Sequence, residues 1–454
     1  MAIITNQTTL CEKDLLHITI VGSTGAVGAY LATKLAGHAH LSIVGRKNSP
    51  HLAQIQKEGL CVLTPSGTMM TPGSRFSYIG WDYAGISQEQ DAILVSLKQP
   101  DITANFAKQI LRISSPDTPI IFIGNGVPFF FMRDLGFQKI HIETVDQEGS
   151  IAKLFSSRYT LLLHPIIAAN IESCGVVKIS RPEDKIKVTL ATTSGPPPKN
   201  LLKLQGALTE AGINTEIAHG QAPRIILEKL QFALSVNVLS GLLNKPLGDI
   251  FYAPRLQPLM QYLVTIVGAI GDAFKVRRIR NYEQFAKVEV TRTHFSSFYR
   301  DLLGGKTTEA CAFVESALEL ANYIQSQKLG RLPDLSPLLA LKELVDMRVD
   351  GAVITEESLQ GLLNGTPSIM GTAPQDALTA AGHTLLPPLF ARLKSLRRKL
   401  SCSLGGPLVT IIMLLNLKGC GVADLSVQSK LCARTIKSAN EPAPLNFKTN
   451  IDRQ

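Results

Sequence analysis

The front half of the chain alternates short apolar runs with stretches of helical spacing. The segment from His17 to Arg46 predicts a strand around Ile18–Val21, a glycine-rich turn, a helix over Ala29–Leu35 and a second strand. Further predicted elements are the strands Leu60–Leu63, Asp91–Leu97 and Pro119–Ile123 and the helices Leu52–Gly59 and Ile102–Ile113. Because strands alternate with helices, the pattern predicts a doubly wound, mostly parallel sheet that binds ligands at the carboxyl ends of its strands.

The pattern changes at about residue 222. Before it, residues 151–218 mix predicted strands at Arg158–Leu163 and Lys187–Ala191 with a helix over Leu201–Ala211. After it, the predicted elements are the long helices Ile225–Leu243, Leu256–Phe274, Phe285–Leu303 and Thr307–Gln327. The predicted fold is therefore an α/β, Rossmann-like doubly wound N-terminal domain plus an all-α C-terminal domain, followed by an uncharacterised C-terminal extension.

The predicted boundaries follow these changes of pattern. Residues 1–16 form an N-terminal extension, 17–220 the nucleotide-binding domain, 221–350 the all-α substrate domain and 351–454 an extension of unknown role. A hinge near residue 220 would leave a cleft between the two domains, where a dinucleotide and a small substrate could meet.

Composition and charge exclude several classes of protein. With 45% hydrophobic and 18% charged residues, the 454-residue chain is globular. Its net charge is +10, but the last 64 residues hold 11 Lys/Arg against 3 Asp/Glu, so +8 lies there and the remaining 390 residues carry only +2. A nearly neutral main body gives nucleic-acid binding no electrostatic basis.

Cysteine usage and the termini predict a cytoplasmic protein. The seven cysteines are scattered and lack C-x-x-C spacing, which argues against a disulfide framework or a structural zinc site. The N-terminus does not resemble a signal peptide, and no apolar run is long enough for an integral membrane segment. A basic stretch at Ala391–Leu400 followed by an apolar run at 408–417 leaves peripheral membrane attachment as an alternative to a solvated helix face.

The first turn carries the candidate cofactor site. Its spacing is Gly22-x-x-Gly25-x-x-Gly28, one residue longer than the common dinucleotide motif. No acidic residue occurs between Asp14 and Glu58 to bind a ribose diol, and the second strand ends in Arg46, which suits a 2′-phosphate. The pattern favours NADP(H), although an ordinary βα turn without a nucleotide would look similar.

A second candidate site lies in the rear half. Lys229 and Asn237 are eight residues apart in an apolar helix, which places them on one face about two turns apart. A lysine in an apolar cleft loses hydration, and its pKa falls towards the range of a general acid. The alternative is a lysine that extends its amine to solvent at the helix edge.

Hydroxyl and carboxylate side chains follow in the order Ser296, Ser297 and Glu309. They could bind a substrate that carries hydroxyl and carboxylate groups. The alternative is a helix N-cap for the serines and a solvated face for the glutamate.

The ordered set of motifs resembles the 2-dehydropantoate 2-reductase (ketopantoate reductase) family. The resemblance runs from about Ile18 to Lys342 and rests on the glycine turn followed by shorter motifs. These are KxGL at Lys57–Leu60, LVSLK ending at Lys98, GNG at 124–126, EKL with Lys229 and Asn237, HFSS with Ser297, and KTTE with Glu309.

This resemblance implies that NADPH reduces ketopantoate to pantoate, for coenzyme A synthesis. It implies Lys229 as the general acid and Glu309 as the residue that fixes the substrate hydroxyl and orients the lysine. The implied substrate-binding residues are Asn125, Asn237 and Ser297. The implied cofactor-binding residues are Gly22, Gly25, Ala26, Val27, Gly28, Arg46, Lys98 and Asn125. No metal is implied.

Departures from the family pattern keep other functions open. Ala233 stands where the family has an asparagine, Val238 replaces a proline, and Cys311 replaces an aspartate. The alternatives are a related 2-keto acid reductase with a different substrate and a non-catalytic NADP-binding regulatory protein. The expected partner is a small 2-keto acid, and a homodimer is left open.

Overall fold

A computed structural model describes residues 15–86, 89–156, 158–193 and 197–364. The first 14 residues lie outside this range. So do the basic stretch at Ala391–Leu400 and the apolar run at 408–417.

Within the described residues, twelve strands form two sheets. They are β1 (Leu16–Val21), β2 (Ala39–Val44), β3 (Leu60–Thr64), β4 (Gly67–Thr71), β5 (Phe76–Gly80), β6 (Ala92–Val95), β7 (Ile120–Phe122), β8 (Thr160–Ile166), β9 (Ala169–Ser173), β10 (Val176–Ile179), β11 (Lys187–Ala191) and β12 (Asn214–Ala218). The main sheet has eight strands in the order β12-β11-β8-β7-β6-β1-β2-β5, and the small sheet has four in the order β4-β3-β10-β9.

The main sheet is parallel except at one pairing. β1 lies between β2 and β6 and is parallel to both, whereas β8 and β11 are antiparallel. The predicted doubly wound α/β sheet is therefore confirmed, with one reversed pair. Its central strands β6 and β7 are apolar along their whole length because both faces are covered there. In β6, for example, Ile93 and Val95 enter the core on one side of the sheet and Ala92 and Leu94 the core on the other.

The helices surround this sheet and then form a bundle of their own. They are α1 (Ala26–Leu35), α2 (Pro50–Glu58), α3 (Ala104–Arg112), α4 (Phe131–Asp134), α5 (Ser150–Leu154), α6 (Lys199–Glu210), α7 (Ala222–Phe232), α8 (Leu239–Leu243), α9 (Leu247–Phe251), α10 (Gln257–Ala273), α11 (Tyr282–Phe285), α12 (Ser297–Leu303), α13 (Ser316–Gln327), α14 (Ser336–Val349) and α15 (Glu356–Gln360). A π-helical segment, Ala233–Val238, joins α7 to α8, and another, Cys311–Glu315, precedes α13. The predicted all-α rear half is thus observed.

The predicted helix Phe285–Leu303 is wrong. The chain forms α11, which ends at Phe285, then a non-helical segment, and becomes helical again only in α12. The intervening stretch contains Val288 and Val290, and β-branched residues have low helix propensity. The helix predicted from Thr307 also begins late, because residues 306–308 are not helical.

The sheet and the bundle share one apolar core. Val95 of β6 and Phe122 of β7 belong to the same buried cluster as Leu227 and Leu230 of α7. The cluster continues beyond residue 350, since Ile354, Leu359 and Leu362 are buried in it as well. This shared core fixes α7 across the carboxyl ends of the central strands.

Candidate active site

The glycine turn between β1 and α1 is a close-packed cradle. Gly22 has a φ of +82°, and a Cβ there would lie 2.2 Å from the Ser96 carbonyl oxygen, so only glycine fits. A Cβ on Gly28 would lie 2.6 Å from the Gly22 oxygen. Gly25 donates its amide to that oxygen at 2.9 Å. This hydrogen-bonded turn accommodates the extra residue of the motif, and α1 begins directly after it at Ala26.

Both basic residues after β2 have partners. Arg46 Nη2 lies 2.5 Å from Asp101 Oδ2, and its side chain is 69% exposed. Lys47 Nζ lies 4.4 Å from the ring centroid of Trp81. The end of the second strand is therefore a cationic edge of the cradle, with one carboxylate opposite Arg46.

Lys229 lies where α7 crosses the sheet. Its Nζ donates a hydrogen bond to the carbonyl oxygen of Gly124, just past the carboxyl end of β7. Burial of the amine lowers the pKa of Lys229 to about 8, while the nearby Glu309 acts in the opposite direction. An ammonium with such a pKa is mostly protonated at neutral pH and gives up its proton readily.

Glu309 is the buried carboxyl of this site, with 5% of its surface exposed. The pKa of Glu309 is raised to about 7, chiefly by burial and in smaller part by the neighbouring Asp301. The charges of Lys98 and Lys229 and a hydrogen bond from the Gln99 backbone act in the opposite direction. The carboxyl is thus near its titration point at neutral pH and lies within the electrostatic reach of both lysines.

Lys98 connects the sheet to the helical part. It follows β6, and its Nζ forms an ion pair with Oδ1 of Asp301 on α12. The other carboxylate oxygen, Asp301 Oδ2, is buried and has no hydrogen-bond partner among the described residues. Asp301 was not among the predicted site residues. Its position one turn after Ser297 on the same helix is the signal that could have identified it.

The GNG loop is packed against the helical part. Gly126 has a φ of +75°, and a Cβ there would lie 2.2 Å from the Ala312 carbonyl oxygen. That oxygen also accepts a hydrogen bond from the Val127 amide at 2.9 Å. Asn125, half-buried in the same loop, lines a narrow cavity together with Gln99. Asn125 directly follows Gly124, whose carbonyl accepts the hydrogen bond from Lys229.

The remaining predicted substrate ligands lie in two neighbouring segments. Ser296 Oγ caps α12 by accepting the Tyr299 amide at 3.0 Å, and it donates to the Asn237 carbonyl at 3.0 Å. The capping alternative is thus correct for Ser296. Ser297 is exposed in the first turn of α12 and makes no contact with Asn237 among those observed.

His164 is a further buried group that the sequence did not identify. It lies on β8, next to β7, and its Nδ1 is buried without a hydrogen-bond partner among the described residues. Burial and then the charges of Lys229 and Arg280 hold the pKa of His164 well below its usual range. The imidazole is therefore neutral beside the catalytic-site lysine. Within the same ranges of the chain, no group of three or more His, Cys, Asp or Glu side chains is placed to hold a metal.

The family model "Ketopantoate reductase PanE/ApbA" matches residues 18–129, and "Ketopantoate reductase PanE/ApbA C terminal" matches residues 222–327. A 2-dehydropantoate 2-reductase from Mesorhizobium japonicum is 26% identical over 336 residues, which cover 72% of this chain and 96% of that protein.

Solved structures share the fold. A D-mandelate dehydrogenase in complex with NADH and anilino(oxo)acetate has a TM-score of 0.57 at 18% identity, covering 74% of this chain and 99% of its own. A PanE/ApbA family ketopantoate reductase from Ralstonia eutropha has a TM-score of 0.57 at 17% identity, with the same coverage of both chains.

The family whose two models match the chain is one of NAD(P)-dependent oxidoreductases. The chain belongs to the ketopantoate reductase family. Of the described residues, one helix, Ala222–Leu243, is long and apolar enough to cross a membrane. Because 78% of its most apolar window is buried inside the fold, it is typical of a core helix.

Proposed function

We propose that this protein is a cytoplasmic enzyme that reduces 2-dehydropantoate to (R)-pantoate with NADPH, as a step of pantothenate and coenzyme A biosynthesis. The observation that carries the proposal is the electrostatic pair of the half-buried Lys229, bonded to Gly124 after β7, and the buried Glu309, bonded to the Gln99 backbone after β6. The 2-dehydropantoate 2-reductase relative, which matches almost along its whole length, supports the same reaction.

Lys229 is the proton donor in this proposal. As the substrate carbonyl is reduced, negative charge develops on its oxygen, and the Lys229 ammonium both stabilises that charge and donates a proton from Nζ. The hydrogen bond to the Gly124 carbonyl holds the amine in place beforehand. The lowered pKa of Lys229, about 8, makes that proton easier to transfer than the proton of an exposed lysine.

Glu309 and Asp301 act on the lysine and the substrate. Glu309 lies within the electrostatic reach of Lys229 and helps to keep it protonated. Asp301 is held by Lys98, and its second oxygen remains a free acceptor, available to a substrate hydroxyl. Asn125, Asn237 and Ser297 are the proposed ligands for the other substrate oxygens.

The residues of the cradle fit a dinucleotide. The close approaches at Gly22 and Gly28 leave the backbone amides at the start of α1 free of side chains, which is what a pyrophosphate requires. Ala26 and Val27, in the first turn of α1, complete this set. When bound, NADPH supplies the hydride that is added to C2 of the keto acid. Arg46 is the proposed ligand of the 2′-phosphate, and Lys98, which follows β6, is a further proposed cofactor-binding residue.

A related 2-keto acid is the second candidate substrate. Ala233 is buried, apolar and one helical turn after Lys229, where the family pattern has an amide. The D-mandelate dehydrogenase with this fold binds NADH and anilino(oxo)acetate, a 2-oxo acid with an aromatic substituent. An apolar wall at residue 233 favours a less hydroxylated side chain on the substrate.

The test is an NADPH-oxidation assay with the purified full-length protein. We expect turnover with 2-dehydropantoate, and a kcat/KM at least about tenfold higher than for 2-keto acids that lack its hydroxyl, because the site is built to pair with that group. Higher kcat/KM for an aryl or branched keto acid would favour the second candidate. Absence of turnover with every 2-keto acid, while NADPH still binds, would overturn both.

A further inference from the structure

A cluster of arginines lines an open cavity of about 620 Å³ outside the catalytic site. It lies between α7, the loop that follows α10, and α11. The cavity is lined by Arg224, Glu228, Arg278, Ile279, Arg280 and Gln284. This volume is in the usual range for small-molecule pockets.

The cavity carries an excess of positive charge. Its only carboxylate is Glu228, which lies 2.8 Å from Arg280 Nη2 and 4.0 Å from Arg224 Nε. Three guanidinium groups and one carboxylate leave a net charge of +2 on the lining residues. Nε of Arg224 is buried and lacks a hydrogen-bond partner among the described residues, so a donor remains unsatisfied.

Hydrogen bonds from Gln231 on α7 fix the loop that lines the cavity. The buried side chain of Gln231 donates to the carbonyl of Arg280 at 2.8 Å and to that of Val264, on α10, at 3.2 Å. These bonds fix the loop relative to both helices. Arg278 has a φ of +62°, a conformation that residues other than glycine, asparagine and aspartate rarely adopt, and it lines the cavity in that conformation.

We propose that this cavity binds a phosphoryl group of a small anionic metabolite, at a site separate from the cofactor cradle. Guanidinium groups bind phosphate oxygens through paired N–H donors, and a dianion matches the net charge of the cavity. The cavity borders α7, the helix that carries Lys229. Glu228, the residue before Lys229, joins this helix to the loop through its ion pair with Arg280.

Isothermal titration of the full-length protein with inorganic phosphate tests this site. The reference titration uses sodium chloride at the same ionic strength, and the Arg46→Ala variant removes binding at the proposed 2′-phosphate ligand. We expect saturable phosphate binding that persists in Arg46→Ala. Heat no larger than that with sodium chloride, or loss of binding in Arg46→Ala, would overturn the proposal.

Variants of the lining residues locate the binding. Arg278→Asn removes the guanidinium and keeps a residue that tolerates the left-handed backbone, and Arg224→Gln leaves the Glu228–Arg280 pair intact. Each should weaken phosphate binding about tenfold or more, the effect of losing a charge-assisted hydrogen bond. Arg277→Asn is the matched control, since Arg277 is exposed in the same loop but does not line the cavity. Equal weakening by Arg277→Asn would show general surface attraction and contradict a built site.

Discussion

Arg46 and Lys229 are both cations at the carboxyl edge of the main sheet, but their surroundings differ. The Arg46 side chain is 69% exposed and paired with Asp101, so water screens its charge and a ligand can replace its partner. Lys229 is half-buried with its amine bonded to the Gly124 carbonyl, and loss of hydration lowers its pKa to about 8. A positive charge therefore suits binding of a cofactor phosphate at Arg46 and proton transfer at Lys229.

Replacing the buried cation should have the largest effect. We expect Lys229→Ala to lower kcat by about 100-fold or more, the range for losing a general acid, while NADPH binding is retained. The control is Lys203→Ala, which removes an exposed lysine on α6 and should leave kcat unchanged. Wild-type turnover in Lys229→Ala would show that another group donates the proton.

Replacing the buried carboxyl of Glu309 should have the second largest effect on kcat. Glu309→Gln removes the negative charge that favours the protonated form of Lys229, and we expect kcat to fall by about tenfold. Steady-state assays at neutral pH measure this loss. Glu319→Gln is the control, because Glu319 is a carboxylate of α13 that binds the amides of Glu143 and Thr144. A change confined to the KM of the substrate would assign Glu309 to binding alone.

The exposed cation should have a selective effect. Arg46→Ala should raise the KM for NADPH by about tenfold, the effect of losing a charge-assisted contact, and leave the KM for NADH unchanged. Paired assays with the two cofactors measure the ratio. Equal losses for both would contradict the proposed 2′-phosphate contact.

Releasing Arg46 from its partner should have the smallest effect. Asp101→Asn removes the carboxylate that competes with a 2′-phosphate, so we expect the KM for NADPH to fall by only about two- to threefold, since exposed ion pairs are weak. Asp117→Asn, an exposed carboxylate elsewhere, serves as the control. An increase in the KM for NADPH would mean that Asp101 positions Arg46 for the cofactor.

Local patterns made part of the fold predictable. The β1–turn–α1–β2 unit and α7 follow from apolar periodicity within short segments. The small sheet was missed, apart from β3, because β4 is mostly exposed and β3 pairs with β10, more than 100 residues later. The prediction of a helix at Phe285–Leu303 was wrong because it followed the spacing of the apolar residues and gave too little weight to the low helix propensity of the β-branched residues.

In the candidate site, residues within local motifs could be proposed from the sequence, whereas contacts between distant segments could not. The apolar helix made Lys229 a candidate, and the family resemblance supplied its predicted role; in the structure Glu309 acts on its pKa. The ion pair between Lys98 and Asp301 joins residues 203 positions apart, which no local pattern indicates. Asp101 opposite Arg46 was missed for the same reason, since the two residues lie on different loops of the sheet edge.

The pH dependence of kcat, measured for the wild type and for Glu309→Gln, tests the central claim most directly. Because Lys229 must be protonated to act as the donor, kcat should fall as the pH rises through about 8, the lowered pKa of Lys229. Glu309 raises that pKa, so in Glu309→Gln the decline should begin at lower pH. A decline at the same pH in both proteins, or no decline up to the ordinary pKa of lysine, would contradict a Lys229 proton donor coupled to Glu309.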